Sequence, residues 1–292
     1  MSLQQLELQA EREKLARLLE TPPGALRPLE PLGVLGLRQV RSAVAAHLFD
    51  RDAARFRGLA RSTKLLPARV AALIAQKALG PRLAAHVAGL LEPKTAVALA
   101  QQVEIDFQAD LCLFLDPAHA GEVLRAMPVD LVVETSRELL ARAEYMTMAR
   151  FVDDLRDDQI QAVTGILDPR AMLWIGFYVE SGTRLSQLIA RLDDAQLLAT
   201  YEAASAEELW PQGLAMLARA DEATARRVCH LFAQAEAELL PDLLAAAEQQ
   251  DLMAEVAQIT RAAEADDLER LRERLRAHDP AVLSQLEAAL DD

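Results

Sequence analysis

Three stretches decide the fold: LGPRLAAHVAGLLEPKTAVALAQQV at 79–103, FLDPAHAGEVLRAMPVDLVVE at 114–134 and LRDDQIQAVTGILDPRAM at 155–172. A recurring Leu-acidic-Pro signal runs through them, as Leu91-Glu92-Pro93, Leu115-Asp116-Pro117 and Leu167-Asp168-Pro169. Relaxed forms are Leu79-Gly80-Pro81, Met127-Pro128, Leu155-Arg156-Asp157 and Leu192-Asp193-Asp194. The acidic residue can accept hydrogen bonds from the free N–H groups of a first helical turn. Proline at the first helical position forfeits nothing, because its missing N–H would have no partner inside the helix. Each signal therefore marks a helix start.

The signals pair at spacings of 11 or 12 residues: Pro81 with Pro93, Pro117 with Pro128, Asp157 with Pro169. The first members lie 36 and 40 residues apart, and Asp194 follows 37 residues later. A unit of that length, holding two or three short helices, has the period of HEAT and armadillo arrays. One such unit cannot bury its apolar face alone, so neighbours must stack. Within a unit, Leu83, Val87 and Leu90–Leu91 share a helical face, as do Ile160, Val163 and Leu167. Gly89, Gly121, Gly165 and Gly176 sit among them and would permit close helix approach.

Composition points the same way. The chain has 292 residues, of which 55 are Ala and 51 Leu, while aromatic residues make up 4%. Strands favour β-branched and aromatic residues, so a sandwich or barrel is not expected. The expected fold is all-α, a right-handed superhelix of short helices. Four segments follow: an amphipathic N-terminal helix at 1–20, a Pro/Gly-rich linker at 21–36, a helical-repeat domain at 37–205, and a charged helical cap at 206–292. The linker TPPGALRPLEPLGVLG carries four prolines and three glycines, which bar an α-helix. Beyond it, helical patterns of 10–15 residues are expected to follow one another. Ser205, three residues before Glu208, has capping-box spacing and reads as a helix start.

The three quoted stretches resemble the cytosolic N-terminal domain of MgtE-type magnesium transporters, and less closely the middle region of the flagellar switch protein FliG. The resemblance covers roughly residues 65–205. It implies a right-handed superhelix and, from the transporter's use of acidic surfaces to sense magnesium, a divalent-cation response. The CBS pair and membrane region that follow the domain in MgtE have no counterpart here, so transport is not implied. The EHPQ motif of FliG is missing, and no individual ligand position carries over.

Charge is uneven. The formal net charge is -14, but residues 1–85 carry 14 basic and 7 acidic side chains, while residues 86–292 carry 17 and 38. The basic part gathers Arg38, Arg41, Arg51, Arg55, Arg57, Arg61, Lys64, Arg69, Lys77 and Arg82, opposed only by Asp50 and Asp52. Three readings stand: a solvated helix face, a docking contact for an acidic surface of this chain or a neighbouring copy, or a contact for phosphate or anionic lipid. Nucleic acid is not expected, because the acidic remainder would repel it and only Phe49 and Phe56 could stack on bases. Arg outnumbers Lys 27 to 4 and Asn is absent, a pattern of codon bias that weakens any argument from arginine count.

The search for chemistry returns little. The five histidines fall in no metal-ligand spacing, and no phosphate loop, dinucleotide fingerprint, nucleophile elbow or calcium loop is present. Cys112 and Cys229 form no CxxC, which fits a reducing cytoplasm. No apolar run approaches the roughly 20 residues of a membrane span. Asp153, Asp154, Asp157 and Asp158 form the densest acidic cluster. They read either as helix-start carboxylates or as oxygen ligands of a weak Mg²⁺ site. Trp174 and Tyr178, one helical turn apart, read either as core or as an exposed anchor for a partner helix. The expectation is a non-enzymatic cytoplasmic scaffold that binds a protein partner or itself through an acidic face and the basic segment, with Arg51, Arg55, Arg57 and Arg61 as contacts. The alternative is a Mg²⁺-responsive regulatory module. No cofactor and no small-molecule substrate are expected.

Overall fold

The structure, a computed structural model, describes residues 2–63, 66–234, 239–278 and 280–291, without the side chains of residues 52, 54, 55, 278, 281, 282 and 291. The described elements are helical, and no strand occurs among them. By internal contact the chain divides into two compact units: Lys14–Ile166 in one, Met1–Glu13 with Leu167–Asp292 in the other. The division falls inside the stretch that the sequence reads as one repeat domain.

The first unit takes in the end of α1 (Leu3–Leu18), a 3₁₀ segment (Pro23–Leu32), α2 (Gly33–Thr63), α3 (Ala68–Ile74), a π turn (Ala75–Leu79), α4 (Gly80–Ala88), α5 (Pro93–Ala100), α6 (Ile105–Phe114), α7 (Pro117–Ala126), α8 (Val129–Ala141), α9 (Tyr145–Phe151), a 3₁₀ turn (Val152–Asp154) and α10 (Asp157–Thr164). Every second helix packs together. One row runs α2, α4, α6, α8, α10, and the other α3, α5, α7, α9. Ala60, Val87, Leu91 and Ala96 form one core cluster with Phe56, Leu90 and Val123, and Ala85, Leu115, Ala120 and Phe151 form another. Each cluster sets two buried alanines among larger side chains, and the alanines let the short helices approach closely.

The second unit holds α11 (Pro169–Tyr178), α12 (Gly182–Ile189), α13 (Asp194–Ala206), α14 (Trp210–Leu217), α15 (Glu222–Gln234), α16 (Leu239–Gln250), α17 (Met253–Thr260), α18 (Ala265–His278) and α19 (Pro280–Asp291). α11 packs on α13 and α14, both of these on α16, α15 on α17 and α18, and α17 on α19. Its deepest side chains include Met172, Leu173, Leu185, Ile189, Leu197, Tyr201, Leu214 and Met216. Gly176 brings α11 onto α14: a Cβ there would lie 2.3 Å from the Met216 sulfur. A Cβ at Gly121 would lie 2.3 Å from Asp154, whereas Gly165 has only ordinary contacts and closes no interface.

The helix-start signals correspond to observed starts. α4, α5, α7, α8, α10, α11 and α13 begin at the seven signals. Asp116 accepts from the Ala118 N–H and Asp168 from the Ala171 N–H at 2.7 Å. Asp193 and Gln196 cap one another reciprocally. Three expectations need correction. The prolines of 21–36 keep Pro23–Leu32 from an α-helix but not from 3₁₀ turns, because their fixed φ suits that geometry, and the last four residues of the expected linker, 33–36, already belong to α2. α2 is 31 residues long, well beyond a 10–15-residue pattern, since no proline interrupts it. Ser205 starts nothing: α13 runs through it, its hydroxyl donates to Asp242, and α14 begins at Trp210-Pro211.

Arginine and glutamine side chains hold the helix ends. Gln159, fully buried in α10, donates to the Leu124 and Met127 carbonyls at the end of α7. Arg150 donates to Leu115 at the end of α6. In the second unit Arg219 donates to Gly176, Phe177 and Val179, Arg227 to Leu192, and Arg274 to Phe232. These bonds span 32 to 43 residues. The last four carbonyls of a helix lack intrahelical partners, and each clamp supplies some of those donors from a helix further along or, for Arg219, from the turn that follows one.

Candidate partner-binding surface

No acidic residue occurs between Asp52 and Glu92. Seven cationic residues do: Arg55, Arg57, Arg61, Lys64, Arg69, Lys77 and Arg82. Arg57 and Arg61 are exposed on the last turns of α2, and neither makes an ion pair among the described residues. Arg51 is exposed nearly two turns before Arg57 and has a partner within the chain. The Arg55 side chain and all of Lys64 lie outside the described residues. Arg69 donates to Gln102, and Arg82 pairs with Glu20 and lies 5.8 Å over the Phe114 ring.

The segment that follows α2 is both basic and apolar on its surface. Leu66 is 41% exposed, Val70 43%, Leu73 57% and Ile74 38%. Val70, Leu73 and Ile74 recur at helical spacing and form a stripe along α3, Leu66 lies exposed just before the helix, and Arg69 and Lys77 are exposed beside the stripe. The opposite face of α3 is closed by Ala71 and Ala72 and packs on α5. Composition and periodicity alone left this stripe unseen, because an apolar helical face reads as core until its neighbours are known.

The acidic cluster is distributed over two elements and engaged with arginine. Asp153 and Asp154 end the 3₁₀ turn, and Asp157 and Asp158 open α10, as helix-start carboxylates do. Asp154 pairs with Arg125 at 3.4 Å, and Asp158 accepts two bonds from Arg156, at 3.0 and 2.9 Å. The Arg156 guanidinium holds the Asp158 carboxyl below its ordinary range. Among the described residues, no three His, Cys, Asp or Glu side chains come together as a metal would require.

Trp174 and Tyr178 stack at 6.0 Å, each partly buried, and Phe177 lies beneath them. The Tyr178 hydroxyl donates to Glu13 of α1 at 2.6 Å, an internal bond of the second unit. A second aromatic group, Tyr201, Trp210 and Phe232, is wholly core. Cys229 is buried and His230 faces out, its Nδ1 2.9 Å from the buried Asp267 carboxylate. Burial pushes the thiols of Cys112 and Cys229 up to about 12, far from what a thiolate nucleophile needs. An open groove of about 270 Å³ lies between α14, α15 and α17, lined mostly by Ala, Leu and Ile. Its Glu222 pairs with Arg226, and its Arg261 donates to the Ala289 carbonyl.

No described helix is long and apolar enough to cross a membrane. No protein-family model, no characterised protein and no solved structure matches this chain.

Proposed function

We propose that this chain is a non-enzymatic helical-repeat scaffold of the cytoplasm that binds a protein partner or a second copy of itself. The contacts we assign are the basic segment, through Arg51, Arg55, Arg57 and Arg61, and the acidic surface of the later helices. Trp174 enters only as a flanking contact, since the phenol of its neighbour Tyr178 is bonded to Glu13. The observation that carries the reading is the acid-free run from 53 to 91, with Arg57 and Arg61 exposed and lacking ion pairs among the described residues. Exposed cations add little to stability, so Arg57 and Arg61 are available for another molecule.

A right-handed superhelix is part of this proposal. It is supported by the alternate-helix rows of the first unit and by clamps that recur at 32 to 43 residues, close to the 36–40-residue period of the helix-start signals. The likeness to the MgtE domain adds nothing to it, because no match accompanies that likeness. Affinity purification from the source cells, beside light scattering of the isolated chain, tests the proposal. A stoichiometric partner or a defined oligomer that is lost on Arg57→Glu with Arg61→Glu supports it. A clean monomer that recovers no partner refutes it.

A further inference from the structure

We infer that the α3 stripe docks an acidic amphipathic helix of a partner protein, taking the place of a missing helix at the open end of the α3, α5, α7 row. This rests on the binding-scaffold reading and names the partner's chemistry. Among the described residues, α5 and α7 each lie between two neighbours of their row, whereas α3 packs on α5 and no described helix packs comparably on its other side. The side of α3 away from Ala71 and Ala72 carries Val70, Leu73 and Ile74, and Leu66 precedes the helix, each between 38% and 57% exposed. Side chains spaced in this way form the ridge of a helix–helix contact. The occupant that fits the row is therefore another helix with its own apolar seam.

Charge selects which helix. Arg69 and Lys77 border the stripe, Arg57 and Arg61 lie exposed before it, and no acid occurs from 53 to 91. A helix with Glu or Asp beside its seam meets a complementary rim, while a basic one meets like charge. A second copy of this chain is the poorer occupant. Its acidic part, 86–292, exposes among the described residues a single large apolar side chain, Phe114, which Arg82 overlies. An anionic bilayer is disfavoured as well, since the chain carries -14 and the stripe lacks the aromatic residues of interfacial helices.

The test uses the full chain and a fluorescent helical peptide with a leucine seam flanked by glutamates. The control peptide keeps the seam and replaces each glutamate with lysine. Anisotropy titration is expected to show micromolar binding of the glutamate peptide and at least about tenfold weaker binding of the lysine peptide. Leu73→Asp, at the most exposed position of the stripe, is expected to weaken the glutamate peptide by about tenfold or more with an unchanged circular dichroism spectrum and melting curve. Lys77→Glu is expected to weaken it several-fold, and more at low salt. No binding of the glutamate peptide, equal binding of both peptides, or indifference to Leu73→Asp overturns the inference. So does sedimentation with phosphatidylserine vesicles, or a dimer on light scattering, that Leu73→Asp abolishes, because these assign the stripe to lipid or to a second copy. If Leu73→Asp leaves a copurified stoichiometric partner in place, this inference fails and the scaffold reading stands.

Discussion

Replacing Arg219 by methionine tests how the second unit is held together. The Arg219 guanidinium donates to the Gly176 carbonyl at 2.9 Å, to Phe177 at 3.0 Å and to Val179, while its Nε donates to Ala215 of α14, the helix just before it, at 2.9 Å. The three distant acceptors close the C-terminal turn of α11, whose Ile175 and Phe177 side chains are 2% and 4% exposed. Methionine keeps the volume and apolar stem of the side chain but supplies no donor. A hydrogen bond to a charged group is worth about 1.5–3 kcal/mol, and an orphaned buried carbonyl costs a similar amount. Bonds that share one guanidinium do not add, and water can reach part of this half-buried group, so about 3 kcal/mol is expected rather than the sum. At about 2–4 °C per kcal/mol for a unit of this size, the melting temperature should fall by about 6–12 °C in calorimetry. Arg219→Lys, which keeps the charge but reaches one carbonyl at a time, should fall between methionine and the native residue. A shift below about 2 °C for the methionine variant would refute the claim that these clamps close helix ends.

Three further outcomes follow from particular geometries. Ala143 sits at φ 54, and the Glu144 N–H bonds back to Leu139 at 2.9 Å, which is the reversed turn that glycine favours, so Ala143→Gly should stabilise the chain by about 0.5–1 kcal/mol in urea titration. The Asp221 carboxyl is held below its ordinary range chiefly by the Thr224 N–H, so its capping contribution is complete above about pH 4 and is lost as pH falls through the lowered value. Asp221→Ala should therefore cost about 1 kcal/mol at neutral pH and show a shallower loss of stability below pH 4 than the native chain. Because Asp154 and Asp158 are paired with Arg125 and Arg156, millimolar Mg²⁺ should raise the melting temperature no more than KCl of matched ionic strength; a magnesium-specific rise would restore the ion-binding reading of Asp153, Asp154, Asp157 and Asp158.

What the chain makes legible is what is local. Asp116, Asp168 and Asp193 cap helices within three residues of themselves, and proline acts on its own turn, so the helix starts follow from adjacent letters. Helix ends are harder. Glu20, Ala143, Glu208 and Asp251 all take positive φ, and glycine occupies none of these four ends, so no sequence signal announces them. Ser205 illustrates the cost, since its capping-box spacing with Glu208 lies inside a helix that Glu208 itself terminates. The arginines were opaque for a different reason. Their excess over lysine resembles codon bias, yet Arg150, Arg219, Arg227 and Arg274 place their guanidinium groups on carbonyls 35 to 43 residues away. A lysine ammonium could not bridge several carbonyls of one helix end as Arg219 does. The α3 stripe was hidden by the same limit, because whether Leu73 is core or surface depends on which helix stands beside it.

If the chain acts by binding another protein through its basic, acid-free segment, that protein should copurify with it. Quantitative mass spectrometry of the tagged chain purified at native abundance tests this most directly, with the native sequence beside Arg57→Glu combined with Arg61→Glu. One protein is expected near equimolar ratio with the native chain, depleted at least about tenfold by the charge reversal. Recovery of the chain alone as a monomer, or of a partner whose yield the reversal leaves unchanged, would contradict it.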